Sequence, residues 1–231
     1  MADGEIHLWR AFLDCGPTAL ERLAKTLSHD ERERASKFGY RRDRDRFVSA
    51  RGILRDILGR YLRTSSRAVQ FVYEPEGKPR IHAPEVDRTI QFSLSHSHGL
   101  AVYALSGTRE VGVDIEAMRP DLAGDEIADW LCSPDELAEL RTLTERDRRE
   151  ALFVCWTRKE AYLKACGSGL NIPLNSFTVS VAPDRLNQLV TDDGRAWMVR
   201  SFHPDDGYVG TAVTEGNNWK SQWWDWTDSI E

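Results

Sequence analysis

QFSLSHSHGLAVYALSGTREVGVDIE, residues 91–116, alternates in side-chain character at every second position and is broken twice, at Ser97-His98-Gly99 and at Gly107-Thr108. A period of two puts successive side chains on opposite faces of a sheet. The spacing therefore predicts strands over 91–95, 100–105 and 111–116, joined antiparallel by tight turns. Another β-rich run, 69–73, precedes them across the turn-forming stretch Glu-Pro-Glu-Gly-Lys-Pro at 74–79.

On either side the period becomes helical. Ile6 and Leu8 open the chain at strand spacing, and Leu20, Leu23, Ala24 and Leu27 then recur at helical spacing. Ser28-His-Asp-Glu31 has capping-box form. A long amphipathic helix is predicted over 43–62, with Phe47, Ala50, Leu54, Ile57, Leu58 and Tyr61 on one stripe and arginines on the other face. Downstream, Ser133-Pro-Asp-Glu136 is a second capping box. The longest helix is predicted over 144–166, stopped by Gly167 and Gly169. Strands are expected over 177–181, 197–202 and 208–213. Strand, helices, strands thus occurs twice. This predicts an α+β protein of two similar halves, 1–107 and 108–231, each a small antiparallel sheet packed on a long helix, with a ligand cleft between them. Trp219, Trp223, Trp224 and Trp226 near the end of the sequence are expected to pack back onto the body, a partner-binding patch being the alternative.

The chain has 231 residues, 41% hydrophobic and 29% charged, as expected of a soluble globular protein. It carries no uninterrupted apolar run of spanning length and no signal-like start, and is read as cytoplasmic. Cys15, Cys132, Cys155 and Cys166 are too scattered for a Cys-x-x-Cys site and are read as reduced thiols. A formal net charge of −6 argues against nucleic-acid and membrane partners, which require a broad basic surface. Arginine nevertheless outnumbers acid between Arg32 and Arg67. That local excess fits either an anion site or a solvated, salt-bridged helix face.

Three constellations carry chemistry. In Gly112-Val-Asp-Ile-Glu116, Asp114 and Glu116 are two apart on a strand and share a face, while Val113 and Ile115 anchor it from the other side, leaving the acids exposed. In Trp156-Thr-Arg-Lys-Glu160-Ala-Tyr-Leu-Lys164, Trp156, Glu160 and Lys164 share one helix face. Glu160 and Lys164 can be an intrahelical ion pair; Glu160 can also add a third carboxylate to the strand pair, giving a hard-oxygen site suited to magnesium. Phe92-Ser-Leu-Ser-His96-Ser-His98, following Gly77-Lys78-Pro79, offers hydroxyl, imidazole and ammonium donors for phosphate. Gly-x-Ser-x-Gly and Gly-x-x-x-x-Gly-Lys are both absent.

In this order and spacing, Gly77-Lys-Pro79, Phe92-Ser-Leu-Ser-His-Ser97, Gly112-Val-Asp-Ile-Glu116 and Trp156 to Lys164 resemble the 4′-phosphopantetheinyl transferase superfamily, in its long, surfactin-synthetase-activating type. The resemblance implies a monomeric pseudo-dimer that binds coenzyme A between its halves. It implies transfer of the 4′-phosphopantetheine group to a serine of an apo acyl or peptidyl carrier protein, from fatty-acid, polyketide or nonribosomal peptide synthesis, with release of 3′,5′-ADP. Asp114, Glu116 and Glu160 would hold Mg²⁺ or Mn²⁺, with Glu160 also taking the serine proton directly or through water. Lys164 would face the diphosphate; Lys78, Ser95 and His96 would contact the phosphates and adenosine; Arg42 and Arg51, with Arg34 and Lys37 as further candidates, would meet the 3′-phosphate. The carrier is expected on the segment 118–131, through Met118, Leu122, Ile127 and Trp130. Ser93 departs from the asparagine found in many relatives.

Overall fold

The computed structural model describes residues 1, 4–75, 77–82, 90–119, 125–167, 172–182, 187–190, 194–216 and 218–228. Strand β1 (Glu5–Phe12) leads into helices α1 (Pro17–Ala24), α2 (His29–Ser36) and α3 (Arg41–Leu62). A two-stranded ribbon, β2 (Phe71–Tyr73) and β3 (Pro79–Ile81), precedes β4 (Gln91–Ser97), β5 (Leu100–Ser106) and β6 (Val111–Ala117). Helices α4 (Asp125–Leu131), α5 (Pro134–Leu140) and α6 (Glu145–Cys166) follow, then β7 (Asn187–Val190), β8 (Ala196–Phe202), β9 (Tyr208–Glu215) and β10 (Lys220–Asp225).

The strands form two four-stranded sheets, ordered β10-β1-β5-β4 and β6-β9-β8-β7. Each is backed by a 22-residue helix, α3 for the first and α6 for the second. The alternation within β5 explains the layering. Ala101, Tyr103 and Leu105 meet Ile53, Leu54 and Ile57 of α3, and the Tyr103 hydroxyl donates to the Ala50 carbonyl at 3.0 Å. Leu100, Val102 and Ala104 point the other way and pack on Val111, Val113 and Ile115 of β6. The two sheets therefore share an apolar seam. Gly112, Asp114 and Glu116 are left on the α6 side of β6.

Three features differ from the sequence reading. The stretch 177–182 forms no strand; it is strapped to α6, where Lys159 Nζ donates to the Phe177 carbonyl (2.7 Å) and Arg158 Nη1 to the Ser180 carbonyl (2.6 Å). Asp114 is 4% exposed rather than open to solvent. The first sheet is not wholly antiparallel: β10 runs parallel to β1 and crosses the expected division at 107/108. Aromatic anchors explain that crossing. Trp219 plugs the seam, Trp226 joins the core under α3 and donates its indole N–H to Asp56 Oδ2 (2.8 Å), and Arg22 pairs with Asp228. Trp223 remains exposed. Gly167 caps α6 at φ 72°, as its sequence position predicts, while Gly169 lies outside the described residues.

Packing of α2 on α3 depends on one buried acid. Glu31, 3% exposed, closes its capping box by accepting the Ser28 N–H and also accepts from Arg55 Nε (2.6 Å) and Arg51 Nε (2.9 Å). Burial alone would raise its pKa, but the Arg55 hydrogen bond and the Arg51 charge outweigh burial and hold it below the usual range. A depressed carboxylate contributes stability above its unfolded-state pKa and loses that contribution as pH falls through its folded value. Glu31→Gln keeps one acceptor oxygen and is expected to cost about 2 kcal/mol at neutral pH. Denaturant titrations should show the gap to the parent protein narrowing below about pH 4.5; a gap independent of pH would refute this account.

Candidate active site

Between the halves lies a cleft of about 460 Å³. Its walls come from α2 and α3 (Arg34, Arg51), the ribbon and its turn (Gly77, Lys78, Pro79), β4 (Phe92, Ser93, Leu94) and α6 (Glu160, Leu163, Lys164). Helical spacing puts Glu160 and Lys164 one turn apart on the face of α6 that looks into it.

From the α6 wall Lys164 Nζ donates to Asp114 Oδ1, and the Ser95 hydroxyl donates to the same oxygen, each at 2.7 Å; Asp114 and Ser95 are buried behind the residues that line the cleft. Asp114 Oδ2 is buried and has no hydrogen-bond partner among the described residues. The Ser97 hydroxyl donates to Glu116 Oε2 at 2.8 Å. Burial pushes Glu116 up to about 7; the charges of Asp114 and Glu160 add to the rise, and the Ser97 hydrogen bond and Lys164 oppose it. Glu160 is raised by burial and by Asp114, against Lys164. These features meet a physical test for a bound cation. A buried oxygen lacks a donor, and Asp114 and Glu160 both raise Glu116 with one ammonium, that of Lys164, to offset them. An all-oxygen set suits Mg²⁺ or Mn²⁺. Among the described residues, the one cluster whose ligand atoms all lie within 4.8 Å of each other is elsewhere, at Cys132, Glu136 and Cys155. Its carboxylate is already committed to Lys159 Nζ and to the Ser133 and Val179 N–H groups, so it serves packing.

The remaining predicted residues are placed unequally. Arg51 reaches the cleft from above the Phe71 ring, held by Glu31 and by its donation to the Tyr73 hydroxyl (3.1 Å). Arg34 is on the same wall, whereas Lys37 pairs with Glu33 outside it. Arg42 is not brought to the cleft; it borders a separate depression with Leu13, Asp14 and Ser49. Lys78 lines the cleft, yet its ammonium donates to Glu110 Oε2 and to the Ala165 carbonyl, both at 2.7 Å, tying the ribbon to the end of α6. The Ser95 hydroxyl shares Asp114 Oδ1 with the Lys164 ammonium, so the expected phosphate contacts Ser95 and Lys164 are brought together on one carboxylate oxygen. His96 is solvent-accessible, yet the protein atoms packed around it and then the Lys164 charge lower its pKa.

Sequence comparison bears on this cleft directly. The model of the 4′-phosphopantetheinyl transferase superfamily matches residues 110–213, and that of the 4′-phosphopantetheinyl transferase N-terminal region matches 15–108. The 4′-phosphopantetheinyl transferase HetI of Nostoc sp. is 38% identical over 220 residues, 95% of this chain and 92% of its own length. The chain belongs to the 4′-phosphopantetheinyl transferase superfamily. The 4′-phosphopantetheinyl transferases Sfp of Bacillus subtilis (26% identical over 81% of this chain and 82% of the relative) and psf-1 of Bacillus pumilus (29% over 84% and 82%) are also similar.

Within this 4′-phosphopantetheinyl transferase, the sequence reading missed Ser97 and Gly112 as parts of the site. Both carried a signal. Ser93, Ser95 and Ser97 repeat at strand spacing opposite Asp114 and Glu116, and Gly112 stands two positions before Asp114, on the same strand face.

Proposed function

We propose that this protein moves the 4′-phosphopantetheine group from coenzyme A to a serine hydroxyl of an apo acyl or peptidyl carrier protein, releasing 3′,5′-ADP, in a reaction that requires Mg²⁺ or Mn²⁺. Beside the superfamily membership, the observation that supports the metal requirement is the unpartnered, buried Oδ2 of Asp114, whose other oxygen accepts from Lys164 on the cleft wall that also carries Glu160. Asp114, Glu116 and Glu160 are the residues that would hold the ion. When bound, it neutralises diphosphate oxygens and polarises the phosphoryl group under attack.

Lys164 leaves its ion pair with Asp114 to face the diphosphate and stabilises charge on the departing 3′,5′-ADP. Glu160 accepts the proton of the carrier serine directly or through water. The serine oxygen–phosphorus bond forms as the bond from the β-phosphorus to the bridging oxygen breaks. Arg51 and Arg34 supply positive charge for the 3′-phosphate, and His96 lies near the phosphate path. In this reading residues 1–107 mainly hold the nucleotide end, and 108–231 the acids.

The carrier docks beside α6. Trp130 is 58% exposed and stands edge-on to Trp156, one turn before Glu160, while Met118 and Ile127 are partly buried. Leu122 lies outside the described residues. The chain acts as a monomeric pseudo-dimer in the cytoplasm; among the described residues no helix is long and apolar enough to cross a membrane.

The test is the intact mass of apo carrier proteins of several classes after incubation with the protein, coenzyme A and Mg²⁺. A phosphopantetheine mass gain that chelator abolishes is expected. No gain with any carrier class would overturn the proposal.

A further inference from the structure

β4 and β6 are not hydrogen-bonded as neighbours in either sheet, yet alternate serines of β4 reach across to β6 as a row of hydroxyls. Ser93 Oγ accepts the Val113 N–H at 3.1 Å. Ser95 donates to Asp114 Oδ1 at 2.7 Å. Ser97 does both kinds of work: its oxygen accepts the Ala117 N–H at 3.1 Å while its proton goes to Glu116 Oε2 at 2.8 Å. All three serines are buried. A hydroxyl anchored to backbone on one side has little freedom to turn away from the carboxylate on the other.

We infer that Ser97 is a positioning residue of the active site, holding Glu116 in the orientation in which it binds the divalent cation. The inference rests on the reading of Asp114, Glu116 and Glu160 as the metal ligands. Glutamate has three rotatable side-chain bonds, and an unheld carboxylate would lose that freedom when the ion binds. With Ser97 in place the freedom is lost at folding instead, and the ion meets a carboxylate already set. Outer partners that orient metal ligands commonly contribute 10- to 100-fold in affinity. Joining strands is a role that Ser93 fills through backbone alone; Ser97 adds a hydrogen bond to a side chain of the site, and at 2.8 Å Glu116 Oε2 is much nearer its hydroxyl than His98 Nδ1 at 3.4 Å.

The experiment is a Mn²⁺ titration of the full chain in the presence of coenzyme A, with bound and free metal separated by electron paramagnetic resonance. Ser97→Ala is expected to weaken Mn²⁺ about tenfold. Ser97→Thr and Ser97→Val form a second, shape-matched pair that differs only in the hydroxyl. Both carry the same steric burden, and Thr is expected to bind Mn²⁺ several-fold more tightly than Val. In a Glu116→Ala background, which leaves no acceptor at that position, the Thr and Val variants should bind alike, because the hydroxyl acts through the carboxylate. Equal Mn²⁺ affinity for Thr and Val in the parent background, with Asp114→Asn still abolishing binding, would overturn the inference alone. A Thr–Val difference that persists in Glu116→Ala would overturn it too. No Mn²⁺ binding by the parent protein would remove the reading of the metal ligands, and the inference with it.

Discussion

Asp114→Ala is expected to reduce phosphopantetheine transfer about 10³-fold, the largest loss from any single side chain of the candidate site. Asp114 is the acid on which three features converge: the Ser95 hydroxyl, the Lys164 ammonium and the oxygen that has no donor. Removing it takes away a ligand of the proposed metal site, leaves Lys164 without its counter-ion and leaves a buried serine proton unsatisfied. Asp114→Asn separates the electrostatic part from the packing part. Asparagine has nearly the same shape and still accepts from Ser95, but lacks the charge. It should keep the fold while losing nearly as much turnover as alanine. Carrier mass gain over time, read beside the melting temperature, distinguishes the two contributions. Transfer by Asp114→Asn within tenfold of the parent protein would show that the charge is not required.

Gly112→Ala is expected to give the largest structural effect. A Cβ at that position would stand 2.0 Å from the Ala161 carbonyl oxygen and 2.5 Å from the Ala165 amide nitrogen. Both belong to the backbone of α6, so no side chain can swing aside. Helix and strand must move apart, which should cost more than about 4 kcal/mol and lower the yield of folded protein sharply. The displacement also separates β6, carrying Asp114 and Glu116, from α6, carrying Glu160 and Lys164. Any folded fraction should therefore lose transfer too. Gly107→Ala is the control: nothing lies within 4 Å of its added Cβ, and its stability should change by no more than about 0.5 kcal/mol. Melting of Gly112→Ala within a few degrees of the parent would mean that the seam between strand and helix has slack.

How much of this was legible depended on how local the determinant is. Period alone located β4, β5, β6, α3 and α6, and the two-residue spacing of Asp114 and Glu116 was enough to put them on one face. The burial of Asp114 was not visible, because it comes from α6 closing over β6 at Gly112, a contact between segments about fifty residues apart. The stretch 177–181 reads as a strand because its apolar residues alternate; its Phe177 and Ser180 carbonyls are taken by Lys159 and Arg158 instead of by a neighbouring strand. The grouping of Arg42 with Arg51 contained its own correction. Nine residues correspond to about two and a half helical turns, which puts the two on opposite sides of α3, and only Arg51 meets the cleft. Lys78 was recognised as a cation near the site, but its commitment to Glu110 and the Ala165 carbonyl depends on tertiary placement that spacing does not encode.

The pairing of β10 with β1 also sets an order of events during synthesis. Arg10 and Asp225, which join the two strands through their side chains, are 215 positions apart. While the ribosome builds the intervening chain, the outer edge of β1 has no strand to pair with, and the core beneath α3 lacks Trp226. An open strand edge is a template for pairing with other chains, and long-range closure of this kind is slow. The nascent N-terminal half is thus the stage at which this protein most needs protection from aggregation. Moving the start of translation by circular permutation, so that β10 is made immediately before β1, should relieve that dependence.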